Sequence, residues 1–228
     1  MVKVQVFSMN SISDAELVAH SGADHVGTQV SMGNIPYTVD TKLGHQICEI
    51  INSSAKSVMI PISRNPDQIL EFARIVEPNI VQIANDEDTM GREVFTNLLK
   101  DLKNNGFTTI KVIAVGSGGE VKTGKYYAEK SDLLMLYTFG KPPTELLMGI
   151  IGGTGKTSDW DLCRKIVESV GKQVILAGGL NLENVTSAIE KVHPWGVDAA
   201  SALSIPGTHG RKDIEKVKRF VALAKGTK

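Results

Sequence analysis

Residues 171–201 read GKQVILAGGLNLENVTSAIEKVHPWGVDAAS, and the architecture of the chain is legible in that stretch. A β-branched run, Gln173–Gly179, precedes a helical pattern over Leu182–Val192. There Val185, Ala188, Ile189 and Val192 recur at three- and four-residue steps. A second short run, Gly196–Ser201, completes a strand–helix–strand unit, which implies two parallel strands joined by a helical crossover. Upstream the same alternation continues, with strand runs at Val2–Ser8, His25–Val30, Ser57–Ser63, Asn79–Asn85, Thr109–Gly116 and Leu133–Thr138. Asp67–Val76 carries Ile69, Leu70, Ala73 and Val76 at helical spacing. Helix starts are marked as well: Ser13 with Glu16 as a capping box, Asn65–Pro66 as a cap followed by proline, and Ser158 as a cap. Eight such units fill 228 residues and leave no room for a second domain. The spacing therefore predicts a single (β/α)8 TIM barrel over residues 1–228, in preference to an open doubly wound sheet.

Composition narrows the function. Lys+Arg and Asp+Glu are 25 each, which argues against a general nucleic-acid binder. The basic tail, Arg211 to Lys228, reads as a solvated helix face, the alternative being an anion-binding surface. No apolar run is long enough to cross a membrane, and the N-terminus has no signal-peptide pattern, so a cytoplasmic protein is expected. Cys48 and Cys163 stand far apart without metal-ligand neighbours. The histidines, His20, His25, His45, His193 and His209, also lack ligand spacing, and each is expected to be structural or exposed. His25 opens strand two at the end away from a barrel's catalytic face. No metal and no cofactor are predicted.

Two glycine-rich segments point to an anion. Gly152–Thr157 reads GGTGKT, but a Walker A loop would need glycine where Ile150 stands, so a nucleotide loop is not indicated. The segment belongs to a long stretch, Phe139–Thr157, expected to act as a lid, with Gly153 and Gly155 able to close over an anion. The seventh strand ends in Ala177–Gly178–Gly179 and the eighth in Ala200–Ser201–Ala202. Small residues at those two ends let backbone amides approach a phosphate, the usual place for one in such barrels. Period-2 alternation then sets the inward side chains. With Phe7 inward, Gln5 and Lys3 share its face; with Asp198 inward, Ala200 and Ala202 follow it. Asp198 and Tyr137 are the candidate acid–base residues, and Gln5, Gln82 and Gln29 the candidate substrate-binding ones. Lys111 is placed deeper on strand five as an exposed or paired residue, a Schiff-base lysine being the alternative.

The segments GGTGKTSDW (152–160), VILAGGLNLENVTSAI (174–189) and PWGVDAASA (194–202) resemble the phosphoribosylanthranilate isomerase family, with weaker similarity in SGADHVG (21–27), VQIAN (81–85) and IAVG (113–116). That family's tryptophan-biosynthetic enzymes carry out an Amadori rearrangement on a barrel. The resemblance implies a Cys base where this chain has Phe7, an Asp acid where it has Tyr137, and a carboxylate-pairing Arg where it has Pro36. The family's strand-four His is Ala84 here, while Gln82 and Asp198 are retained; the family's Ser-Ser-Gly is Ala200–Ser201–Ala202. The expected function is a divergent barrel enzyme of isomerase, epimerase or lyase type acting on a phosphorylated sugar or sugar-like metabolite. The parent isomerase with substituted groups and a non-catalytic phosphometabolite-binding protein are the alternatives. The expected partner is that phosphorylated small molecule, with no nucleic acid and no membrane, in a monomer or homodimer.

Overall fold

The computed structural model describes residues 1–33, 35–138, 157–208 and 210–227, except the side chain of Asp88. Eight parallel strands close a barrel in sequence order: β1 Lys3–Val6, β2 His25–Val30, β3 Lys56–Pro61, β4 Ile80–Ile83, β5 Thr108–Val115, β6 Leu133–Thr138, β7 Val174–Leu176 and β8 Gly196–Ala199. Closure is made by β1 against β8, with Val4 opposite Val197 and Gln5 opposite Asp198. The described helices are α1 Ile12–Ala19, α2 Thr41–Ile51, α3 Pro66–Val76, α4 Glu87–Met90, α5 Arg92–Asn104, α6 Glu120–Ala128, α7 Trp160–Val170, α8 Val185–Val192 and α9 Ile214–Gly226. All eight predicted strands are present, each within three residues of its expected ends.

Two separate cores hold these layers together. The larger lies between sheet and helices, where Ile47, Phe72, Phe95, Leu99 and Phe220 are buried against Val6, Val26 and Val81. The smaller fills the barrel and includes Phe7, Val58, Ile80, Ile110, Met135 and Ile175. Alternation along each strand divides side chains between the two.

The differences from expectation are local. Helix α1 is capped by Ser11, whose hydroxyl accepts from the Asp14 N–H at 3.2 Å, and not by Ser13. Helix α7 is capped by Asp159, which accepts from the N–H groups of Asp161 and Leu162. The expected cap, Ser158, is instead buried, its hydroxyl paired with Thr138 at 2.8 Å. Asn65 caps α3 as predicted, with Pro66 in the first turn. The strands shorten where their ends turn. Ser8 takes φ +74°, ending β1, and Gly178 and Gly179 take φ +94° and +64°, ending β7. Those two positions need glycine because a Cβ disfavours positive φ.

Candidate active site

Four side chains form a polar layer inside the barrel: Gln5 from β1, His25 from β2, Gln82 from β4 and Asp198 from β8. All four are buried. Gln5 stands opposite both His25 and Asp198 in the strand register, so it sits between them. Its amide nitrogen donates to Gln82 Oε1 at 2.9 Å, and its carbonyl oxygen lies 3.2 Å from His25 Nδ1. The Trp195 ring packs against His25, with ring centres 5.8 Å apart. Asp198 faces this layer with Oδ1 unpartnered among the described residues. Burial pushes its carboxyl up to about 7, opposed by the Gln5 amide and the Lys212 ammonium. Burial likewise holds His25 down at about 4, so near neutral pH the imidazole is uncharged.

The sequence places Gln5, Gln82 and Asp198 on the inward face, and the structure brings them together. His25 is the residue sequence reasoning missed. It sits inward by the alternation that puts Gln29 inward, four residues further along the same strand, and it is tied to Gln5. Gln29 itself lies at the rim, donating to the Ser8 hydroxyl at 3.3 Å. Tyr137 is half-buried, packed against the core inside the barrel. Lys212 departs from the reading of Arg211–Lys228 as a solvated helix face, being buried and outside α9. It lies in the segment after β8, where Ser204 pairs with Lys212, and no periodicity marks such a position. Its ammonium donates to the Ala200 carbonyl and the Ser204 hydroxyl, each at 3.0 Å. Its backbone N–H donates to Asp14 of α1 at 3.1 Å.

The positions that resemble the family's catalytic ones lack its groups. Phe7 is 3% exposed, and its ring lies over Gly27: a Cβ built at Gly27 would come within 2.3 Å of the Phe7 ring, which at that position can take no proton. Neither cysteine replaces the missing thiol. Cys48 and Cys163 lie in the core between sheet and helices, where burial pushes both thiols up to about 12. Pro36 is exposed in the segment between β2 and α2.

Lys111 is paired, as the favoured sequence reading has it, and its Schiff-base alternative falls. Ile110 and Val112 point into the barrel, so Lys111 points outward, away from any mouth where a Schiff base would form. Its ammonium is buried, donating to the carbonyls of Asn85 at 2.7 Å and Val112 at 3.0 Å beneath the Phe95 ring. Ala202 corrects the sequence reading. The chain leaves the strand at Ala199, and a 3-10 turn over Ser201–Leu203 breaks the alternation that would carry Ala202 inward, leaving Ser201 and Ala202 exposed. The first N–H groups of such a turn have no partner within it. The turn follows the C-terminal end of β8, at the same end of the barrel as the Gly178–Gly179 turn after β7. Gly153, Gly155 and residues 139–156 of the predicted lid lie outside the described residues, as does His209. Among the described residues no group of three or more His, Cys, Asp or Glu could hold a metal. No described helix is long and apolar enough to cross a membrane.

A family model described as N-(5'phosphoribosyl)anthranilate (PRA) isomerase matches residues 4–223. An N-(5'-phosphoribosyl)anthranilate isomerase of Methanocella arvoryzae is 30% identical over 230 residues, covering 100% of both chains. That of Aquifex aeolicus is 32% identical, covering 99% of each. Among solved structures, phosphoribosyl anthranilate isomerase from Thermotoga maritima aligns with a TM-score of 0.78 at 27% identity, over 99% of this chain and 100% of that one. Another solved phosphoribosyl anthranilate isomerase, 26% identical with a TM-score of 0.77 over 99% and 100% of the chains, is in complex with reduced 1-(o-carboxyphenylamino)-1-deoxyribulose 5-phosphate.

Proposed function

The chain belongs to the N-(5'-phosphoribosyl)anthranilate isomerase family, and on that premise we propose that it is an isomerase of a phosphorylated sugar-like metabolite in which Asp198 moves the proton. The observation that carries this reading is the Asp198 carboxyl, buried in the barrel with a free oxygen and poised at about 7. Aldose–ketose rearrangement needs one group to protonate the departing ring oxygen and one to take the proton from the neighbouring carbon. A carboxyl that ionises near the working pH can do either in turn. The Tyr137 hydroxyl, in the place of the family's acid, orients a substrate hydroxyl; with an ordinary pKa of about 10 a phenol is a poor base at neutral pH. Gln5, Gln82 and Gln29 supply uncharged donors and acceptors for the sugar. The phosphate sits against the backbone at Gly178, Gly179, Ala200, Ser201 and Ala202. The chain works in the cytosol as a monomer or homodimer.

The test is turnover of a panel of aldose and ketose phosphates, phosphoribosylanthranilate included, by the protein and by Asp198→Asn. The substitution is expected to lower turnover by about 10²–10⁴-fold. Undiminished turnover would remove Asp198 from the chemistry, and a protein that binds sugar phosphates without turning any over would be a binding protein. A second reading, the parent rearrangement of phosphoribosylanthranilate, is favoured by the bound compound in the solved relative. Phe7, Tyr137 and Pro36 weigh against it, because base, acid and carboxylate clamp are all replaced. Complementation of a tryptophan auxotroph by the unmodified gene would establish that second reading.

A further inference from the structure

The mechanism above uses Asp198 but leaves a buried imidazole in the same layer without a task. His25 is 6% exposed, at the first residue of β2. What it reaches is Gln5. A side-chain amide has one accepting end and one donating end, and nothing intrinsic decides which way round it lies. The partners decide. At Gln5 the carbonyl oxygen is directed at His25 Nδ1, 3.2 Å away, while the NH2 donates to Gln82 at 2.9 Å and faces the Asp198 carboxylate. The Trp195 ring against His25 and the burial of the imidazole keep it neutral and in place. A neutral imidazole carrying its proton on Nδ1 is a donor at that atom, so it accepts only one orientation of the Gln5 amide. Reversed, Gln5 would set its carbonyl oxygen against a carboxylate.

We propose that His25 is a positioning residue: its Nδ1–H holds the Gln5 carbonyl and so turns the Gln5 NH2 toward Gln82 and Asp198, fixing how the carboxyl is presented to substrate. The inference rests on the reading of Asp198 as the proton carrier for its catalytic meaning, though not for its physical content. The charged groups around this relay are few. Asp198 faces the Gln5 amide from β1 and Lys212 from the segment after β8, and Lys212 in turn faces Asp14 of α1. His25 faces Asp24 from the turn before β2, Lys3 from β1 and Lys56 from β3. None of these three touches Asp198, so an effect of His25 on Asp198 has to pass through Gln5.

The experiment reads the carboxyl directly. Protein labelled with 13C at the aspartate side-chain carboxyls is titrated by NMR, the Asp198 signal being identified by its loss in Asp198→Asn. His25→Phe keeps a ring against Trp195 and removes the donor. It is expected to raise the Asp198 midpoint by roughly one pH unit, the effect of one hydrogen bond to a charged group. Gln5→Met removes the relay itself and should raise the midpoint likewise. The two together should do no more than Gln5→Met alone, since both act through one amide. Trp195→Phe, which keeps a ring against His25 and removes no donor, should leave the midpoint where it is. A midpoint unmoved in folded Gln5→Met, or moved by Trp195→Phe as much as by His25→Phe, overturns the proposal. Should His25→Phe fail to fold, the Gln5→Met titration decides alone. The outcome does not depend on turnover: if Asp198→Asn retains activity while the titrations behave as stated, the proton-carrier reading falls and the relay stands.

Discussion

On β1, β2 and β8 the side chains turned into the barrel include Gln5, His25 and Asp198, whereas on β3, β5 and β6 they include Val58, Ile110 and Leu133. Both walls are buried, yet they serve the fold in different ways. The apolar wall gains by removing hydrocarbon from water, a term indifferent to pH and tolerant of small changes of shape. The polar wall loses hydration and recovers it only through specific partners, so its stability follows the protonation of two residues. An enzyme that needs a proton donor inside a close-packed barrel has to carry such a wall. The cost falls on the three strands that meet around Gln5.

The largest expected effect lies on the polar wall. Folding raises the Asp198 carboxyl from its ordinary value near 3.8 to about 7, so between those limits the folded chain holds a proton that the unfolded chain has released. Its contribution to stability is present at pH 4 and is lost as pH rises through 7, amounting to roughly 4 kcal/mol at 1.36 kcal/mol per unit. His25 acts in the opposite sense. Held at about 4, it stays neutral in the folded chain while the unfolded chain binds a proton below about 6.5, so stability falls as pH drops through that range. Urea denaturation across this window should show that Asp198→Asn removes the loss on the alkaline side. An unchanged pH profile in that variant would mean that Asp198 is not held protonated.

A smaller effect is expected where the two walls meet. Gly27 lies beneath the Phe7 ring, and Gly27→Ala should destabilise by about 1–3 kcal/mol, because the added methyl has no room until the ring moves. Combining it with Phe7→Cys should recover most of that loss, and thermal unfolding of the single and double variants measures the coupling. Additive losses would place the ring elsewhere. Smallest is Ile110→Val on the apolar wall, a cost of about 0.5–1.5 kcal/mol. Its diagnostic feature is that the cost stays constant across the pH range in which the polar wall varies.

The strands were legible because β-branched runs between helical patterns have few other meanings in a chain of this length. Gln5, Gln82 and Asp198 were legible because alternation assigns a face once one residue of a strand is placed. Where that rule is not applied, sequence and structure differ. Lys111 was placed by depth along β5, although its neighbours Ile110 and Val112 already occupy the inward face. His25 was set apart because it opens its strand, although two steps back from Gln29 return to the interior. The caps at Ser11 and Asp159 are not legible in the sequence because several hydroxyls and carboxylates precede each helix, and tertiary packing chooses among them: Ser158 pairs with Thr138 instead. Lys212 belongs to a hairpin-like segment without periodicity, so only the folded chain reveals its neighbours.

Strand order has a consequence for how the protein is made. β1 completes its hydrogen bonding only when β8 arrives, about 190 residues later, and at synthesis rates of about 5–20 residues per second the first strand waits roughly ten to forty seconds on the ribosome with one edge open. Once the last helix is out, Lys225 reaches back to the Gly22 carbonyl and to Asp24, latching the end of the chain beside its beginning. Until then the nascent chain presents an unpaired edge to any neighbouring polypeptide, so the delay before closure is the interval in which a chaperone or a misplaced strand has its opportunity.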